Sequence, residues 1–493
     1  MLHESIDAWI KIDSEVLLLT FLPGLLYKDA ASLNVHLFEV AFGQCLIFAF
    51  PMVLAGTTLT ALVCYYIFPY DWSFNLAMTA GSILSATDPV AVSSLLEAVG
   101  APPRLKVHIA GESLLNDGSS IVFFTIFGLQ LYLHDLKVDR LEEEGYAQDM
   151  DLGEGVKVFF QMSCGAVAIG IMFAIGTLVL FSLLDRRLNR EENVVEVAIE
   201  FSIAYLCYFV ADVAWDTSGV IATVTLGVVV NSFGRAMRND EKLGEDFASI
   251  IEHMLNTVLF ALGGLVWGTV IANSDEENEF TGQDWGYLIV LYLLLTCIRF
   301  LIFACAYPIT SRIGLKSSPQ EMIFQSFGGL RGAVGIALAI SLDGIVRKAQ
   351  ASDPKFELQT NKLFGFVGGI AFMTLMINAT TAGPLLRKLG LADTSKIRER
   401  ILDAFEQHFL HDMVDEIVHL LAEQKCYTHV SFPVVCHHLP KMANLTVEEV
   451  LEAAAAYKQE NAHKPNYKEP NLHHLLTDLR KLQNGGNTVD DRE

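Results

Sequence analysis

Charge is scarce in this chain, and positive charge is scarcest. Only 18% of the 493 residues are Asp, Glu, Lys or Arg, against about 25% in soluble domains. The 34 basic residues are outnumbered by 57 acidic ones, giving a net charge of -23. A protein that grips nucleic acid needs a basic face to neutralise phosphates, so nucleic acid is excluded as a partner. None of the 8 cysteines stands in a C-x-x-C pair, so neither a zinc site nor a disulfide framework is expected. Nothing calls for a transition metal or a cofactor. The opening residues MLHESIDAWIKIDSE lack the basic start of a cleavable signal peptide.

What the chain has instead is apolar length. It is 52% hydrophobic, and the apolar residues lie in runs of roughly 20, long enough to cross a bilayer. Hydrophobic periodicity predicts about eleven spans, at 15–27, 37–67, 74–98, 107–133, 157–184, 194–213, 218–232, 250–272, 285–309, 321–343 and 362–385. The expected fold class is an all-α integral membrane protein held in the lipid bilayer. The second run exceeds one crossing and must tilt or break, with Gly56 as the expected place. Lys and Arg collect on the cytoplasmic side of membrane proteins. Here Arg104 and Lys106 follow the third span, Arg186, Arg187 and Arg190 the fifth, and Arg387 and Lys388 the eleventh. Acidic stretches, LEEEGYAQDMDLGEG and SDEENE, follow the fourth and eighth. This alternation places the odd-numbered loops and the C-terminal tail in the cytoplasm, and Met1 outside.

The expected organisation is a transmembrane domain over 1–390, a cytoplasmic helical tail over 391–483 and a disordered end over 484–493. In the tail, Leu402, Phe405, Phe409, Met413, Ile417 and Leu420 recur at three- and four-residue steps. That is an amphipathic helix face, read as packing on another helix or open to cytoplasmic regulators.

Charged groups inside spans are expensive and functional by default. Asp88 sits in SILSATDPVAVSS, directly before Pro89. Proline removes a donor and pushes its predecessor out of the helical region, so a helix broken at Thr87–Asp88–Pro89 bares backbone groups at mid-membrane. Such backbone is tolerated only where it lines a cavity or is buried in protein. Asp117 sits in HIAGESLLNDGSS. Ser113, four residues earlier, shares its helix face, and Glu112 and Asn116 share the adjacent stripe. Oxygen-rich sites suit hard cations, and low dielectric makes carboxylates retain protons. One aspartate can then carry a proton or a cation, never both, which is the physical basis of obligatory exchange. Arg331, in FGGLRGAVGIALAI, needs a carboxylate partner, and Glu112 is the candidate. Gly328, Gly329, Gly332 and Gly335 allow a close crossing or a break. Two interrupted spans in corresponding halves point to a transport site built on inverted repeats. Arg299, in LYLLLTCIRFLIF, has no evident partner, and a structural ion pair, snorkelling or a direct role all stay open.

The stretches FLPGLLYKDAASLNVH, LSATDPVAVSSLLEAVGAP, GESLLNDG, TSGVIATVTLGVVV and GGLRGAVGIALA together resemble the Na+/H+ exchanger family of monovalent-cation/proton antiporters. Within it the likeness is to the plant salt-tolerance plasma-membrane type, and it covers roughly residues 10–410. The resemblance implies an antiporter fold with a dimerisation part, two broken crossing helices, alternating access and a homodimer. Carried onto this sequence, it makes Asp117 the proton and cation carrier and Asn116 its neighbour in the ND pair. Thr87, Asp88 and Ser113 become cation-binding residues, and Glu112 with Arg331 a structural ion pair. Asn before Asp implies electroneutral exchange of Na+, or of K+ or Li+, for H+, serving intracellular pH and sodium. In place of the acid that the family carries five residues after the span-one proline, this chain has Lys28, followed by Asp29. The family pattern also begins with two spans that this chain reads as lacking. An intramembrane aspartyl protease using Asp88 and Asp117 would want a G-x-G-D context, and a channel would want a pore filter or charged rings; neither stands in the sequence. A transport-impaired or sensor-like homologue is the alternative that the missing spans raise.

Overall fold

The computed structural model describes residues 14–135, 152–184, 193–234, 241–272, 280–348, 354–391, 447–461, 472–473 and 476–477. The chain separates into two compact units, Met1–Asp393 and Thr394–Glu493. In the second unit the described element is a single helix, Val447–Asn461, with Val450 and Ala453 buried. The stripe from Leu402 to Leu420, Cys426, Cys436 and the residues from 484 onward lie outside the described residues.

Among its described residues, the first unit is built of helices joined by short links. Its elements are α1 (Ser14–Ala31), α2 (Val35–Ala49), α3 (Pro51–Ile67), α4 (Phe74–Ser85), α5 (Val90–Val99) and α6 (Pro103–Phe124), which continues as π-helical turns to Tyr132. There follow α7 (Leu152–Leu184), α8 (Asn193–Phe209), α9 (Gly219–Gly234), α10 (Glu241–Ala272) and α11 (Gly282–Thr310). The unit closes with α12 (Pro319–Phe327), α13 (Ala333–Lys348), α14 (Pro354–Met373) and α15 (Thr380–Lys388). Among the described residues, seven stretches are long and apolar enough to cross a membrane, including Val35–Ile67, Gly153–Leu183 and Gly282–Thr310. Helices are what a lipid environment demands, because every backbone N–H and C=O must be satisfied within the segment.

Local chemistry sets the boundaries. Asn34 caps α2 by accepting from Leu37 N–H at 3.3 Å, and Ser73 caps α4 by accepting from Leu76 N–H at 3.2 Å. Ser318 and Glu321 form a reciprocal capping box at the start of α12, with Pro319 in the first turn. Gly100 ends α5 in the left-handed conformation, at φ 70°, which costs glycine no Cβ clash. The long second run is interrupted at Phe50–Pro51, not near Gly56. Proline supplies no N–H to continue the ladder, whereas Gly56 sits undisturbed inside α3.

Helices α1, α7, α8, α9 and α10 pack on one another, and α2, α3, α4, α6, α11, α12, α13 and α14 form a second group. Apolar cores mark both groups. Met162, Ala166, Ala204, Ala222 and Leu226 fill the first, and Ala77, Ile83, Leu291, Leu338 and Phe366 the second. In the first group α7 and α9 come so close at Gly170 that an added Cβ would overlap the backbone oxygen of Ala222. The two groups meet where α1 and α10 contact α13 and where α9 contacts α6.

Candidate ion-exchange site at the crossing of two broken helices

Spans three and ten are broken, each at the place where its sequence removes helical support. Between α4 and α5 lie Ala86–Pro89, and between α12 and α13 lie Gly328–Gly332. The two links run antiparallel and are joined by a bridge: Asp88 N–H donates to the carbonyl of Leu330 at 2.9 Å. The approach requires glycine at 332, since a Cβ there would overlap the Cβ of Asp88. The Asp88 carboxylate accepts from Val90 N–H at 2.9 Å, which satisfies an orphan donor at the foot of α5.

Helix α6 crosses behind this junction and holds it. Asn116 donates to the Ser85 carbonyl at 2.8 Å and to Thr87 Oγ1 at 3.0 Å. Its own Oδ1 accepts from Ser120 Oγ at 3.0 Å, and the Ser113 hydroxyl donates to the Thr87 carbonyl. The amide and the serine are therefore engaged with the interrupted backbone. Asp117 is not: its carboxylate has no hydrogen-bond partner among the described residues, although the residue is only 9% exposed.

Asp117 faces a small cavity of about 30 Å³, whose walls also carry Thr87, Asp88, Asp29 and Asn256. Three carboxylates and an amide from three helices and a link thus converge at one buried point. A much larger vestibule of about 670 Å³ shares Asp29, Pro89 and Val90 with it. The vestibule opens at the end where α1 stops and α6 begins, and Glu97, Lys106, Glu245 and Glu252 line it. Asn256, on α10, escapes sequence reasoning because a lone amide in a polar-flanked helix has no distinguishing pattern.

The expected Glu112–Arg331 ion pair is not formed. Glu112 instead accepts from Arg299 Nη2 at 2.6 Å and from Gln325 Nε2 at 2.7 Å. Arg299 also donates from Nε to the Ser326 carbonyl at 3.0 Å and lies 5.0 Å from the centre of the Phe303 ring. The reason is position: α11 packs directly on α12, which carries Arg299 to the end of α12 and the face of α6 that presents Glu112. Arg331 lies beyond that end, in the link. Its N–H donates to Thr374 Oγ1 at 3.2 Å, while its buried Nη1 has no hydrogen-bond partner among the described residues. Ser113 and Glu112 share a second, smaller cavity with Arg299 on the other side of Asp88. The structure thus gathers Asp117, Asp88, Thr87 and Asp29 at one cavity and directs Ser113, Asn116 and Glu112 to the supporting network.

The family model for the sodium/hydrogen exchanger, transmembrane, matches residues 2–388. Sodium/hydrogen exchanger 7 of Arabidopsis thaliana is 32% identical over 409 residues, which are 82% of this chain and 34% of that protein. Sodium/hydrogen exchanger 8 of the same plant is 28% identical over 452 residues, 91% of this chain and 56% of that protein. This chain therefore spans only part of the length of those relatives. The Na(+)/H(+) antiporter NhaP of Pseudomonas aeruginosa is 28% identical over 388 residues, covering 76% of this chain and 81% of that one. Among solved structures, the sodium proton antiporter MjNhaP1 of Methanocaldococcus jannaschii superposes with a TM-score of 0.58 at 16% identity, over 79% of this chain and 88% of that chain. The shared architecture is an all-α membrane antiporter fold, and with the family model spanning nearly all of the first unit, this chain is a multi-pass integral membrane protein that belongs to the sodium/hydrogen exchanger family.

Proposed function

We propose that the chain exchanges a monovalent cation, Na+ with K+ or Li+ as alternatives, for H+ by alternating access. The observation that carries this reading is the unpartnered carboxylate of Asp117 at a buried cavity shared with Asp88 and Asp29. A bare cation there gains carboxylate oxygens, and a proton gains one of the same carboxylates. Both cannot be held at Asp117 together, so each passage of one requires release of the other. Thr87 and Asp88 add oxygen ligands from the broken backbone. Asn116 and Ser113 position that backbone, and Glu112 with Arg299 anchors α6 to α11. Because Asn116 is a neutral amide committed to Ser85 and Thr87, the site has a single exchangeable proton on α6, which supports electroneutral one-for-one exchange.

The two helix groups supply the moving parts in this reading. The group holding both breaks carries the site, and the group of α1 and α7–α10 forms the frame and the homodimer contact. With the loops richest in Lys and Arg inside, the vestibule opens to the cytoplasm, the tail is cytoplasmic and the protein sets intracellular pH and sodium at the plasma membrane. Residues 1–390 form the exchanging domain and the residues after 390 a tail open to regulators. The bound ions are substrates, and no resident cofactor enters the cycle. Reconstitution into proteoliposomes tests the reading: an imposed Na+ gradient drives saturable proton movement that is unchanged when the membrane potential is clamped. Flux that follows the potential overturns electroneutrality, and absence of flux from folded protein overturns exchange.

A further inference from the structure

Helix α1 presents Lys28 and Asp29 side by side at the neck between the vestibule and the small cavity. Asp29 borders both spaces, whereas Lys28 and Glu252 border only the vestibule. Lys28 Nζ lies 2.5 Å from a Glu252 oxygen and 3.7 Å from Asp29 Oδ1. The ammonium therefore stands between two carboxylates, one on α1 and one on α10, and is bonded to the second. The side chains of Lys28 and Glu252 are 21% and 11% exposed, so their attraction is screened less than that of a surface pair. Lysine is a compact point charge on a flexible stem with three donors, and it carries the same charge as the ion that must pass Asp29 to reach Asp117.

We propose that Lys28 is a built-in competitor of the transported cation for Asp29, and that Glu252 sets the strength of the competition by holding the ammonium aside. The inference rests on the exchange reading above, because it assigns a specificity-determining pair to the same site. With the pair intact, an entering cation finds Asp29 partly neutralised. With Lys28 removed, Asp29 becomes a full anionic ligand. With Glu252 neutralised, the ammonium falls back on Asp29 and competition rises. Glu97, Glu200, Glu245 and Lys106 also line the vestibule, but none of them borders the small cavity, so their influence on the cation at Asp29 is longer-ranged.

The test compares wild type, Lys28→Met, Glu252→Gln and the double variant in proteoliposomes, reading the Na+ concentration that half-saturates proton flux. The same four proteins are titrated with Na+, Li+ and K+ by calorimetry in detergent. Lys28→Met is expected to lower the half-saturating Na+ at least roughly fivefold and Glu252→Gln to raise it at least roughly fivefold, the factor given by one unit charge at contact distance under full bulk-water screening. The double variant is expected to follow Lys28→Met, with turnover moving less than half-saturation throughout. A merely structural ion pair predicts losses of the same sign in both single variants, and that result overturns the proposal, as does unchanged half-saturation. If Lys28→Met does not fold, Lys28→Gln carries the same expectation, and if Glu252→Gln does not fold, the Lys28 arm decides. Absence of flux from wild type with opposite calorimetric shifts intact sinks exchange but not the competition. Absence of binding by all three ions sinks both.

Discussion

Glu112 and Arg299 are joined across α6 and α11 at 2.6 Å, with Gln325 on the second carboxylate oxygen at 2.7 Å. Both side chains are largely buried, at 6% and 15% exposure. Removing one partner of such a pair strands the other charge, at a cost of about 3–5 kcal/mol. Arg299→Gln and Glu112→Gln are therefore expected to unfold at markedly lower temperature in detergent, with the double variant recovering much of the loss. Arg331→Gln is expected to cost less than either, because no carboxylate is orphaned by it. Thermal unfolding followed by tryptophan fluorescence checks the ranking, and Arg331→Gln emerging as the most damaging would restore the Glu112–Arg331 pairing that the family resemblance implied.

Gly332 is the contact point of the two breaks. Gly332→Ala places a methyl group on the Asp88 Cβ, and over-packing of this kind costs about 1–3 kcal/mol. The Asp88–Leu330 bond must open to accept it. Transport is expected to fall at least roughly tenfold while the protein still reaches the membrane. Wild-type flux from Gly332→Ala would mean the links do not need their observed approach.

Asn116→Asp tests the support network. The amide donates to Ser85 O at 2.8 Å and to Thr87 Oγ1 at 3.0 Å, and a carboxylate can do neither while ionised. It would face a carbonyl oxygen instead, at a cost of about 1–3 kcal/mol for each unmet group. The expected outcome is a less stable protein with reduced flux, whereas a stable variant whose flux becomes voltage-sensitive would show that residue 116 carries charge through the cycle.

On the opposite side of the unit from the vestibule, Tyr70 donates to Asp284, which also lies 3.6 Å from Lys362. The Lys362 ammonium sits 4.5 Å from the centre of the Tyr70 ring. Burial and the Asp284 charge push the Tyr70 phenol above the usual tyrosine range. A group whose folded-state value is raised stabilises the fold below its unfolded value and loses that contribution as pH rises past it. Stability is therefore expected to decline from about pH 10 upward, and Tyr70→Phe is expected to flatten that decline while costing about 1–3 kcal/mol at neutral pH. Unfolding temperatures between pH 7 and 11, as a planned range of about four units, supply the comparison.

Seven of the eleven expected spans answer to long apolar stretches among the described residues, because apolar length responds directly to bilayer thickness, and the breaks at Thr87–Asp88–Pro89 and Gly328–Gly332 were legible because proline and clustered glycine act locally. Asp117 stood out as an acid in an apolar helix. The partner of Glu112 was not legible, since two intramembrane arginines met the same requirement and only the packing of α11 on α12 chose between them. The break in the second run fell at Pro51 because a missing N–H outweighs a flexible glycine. Asn256 and the Lys28–Glu252 pair come from α1 and α10, far apart in the chain, and no spacing links them.

The central claim is that one carboxylate, Asp117, carries both ions. Na+-driven proton flux in proteoliposomes, compared between wild type and Asp117→Asn, tests it most directly. The account predicts saturable flux in wild type and none in the variant, with both proteins equally folded. Flux that survives in Asp117→Asn would contradict it, and would move the carrier to Asp88 or Asp29 at the same cavity.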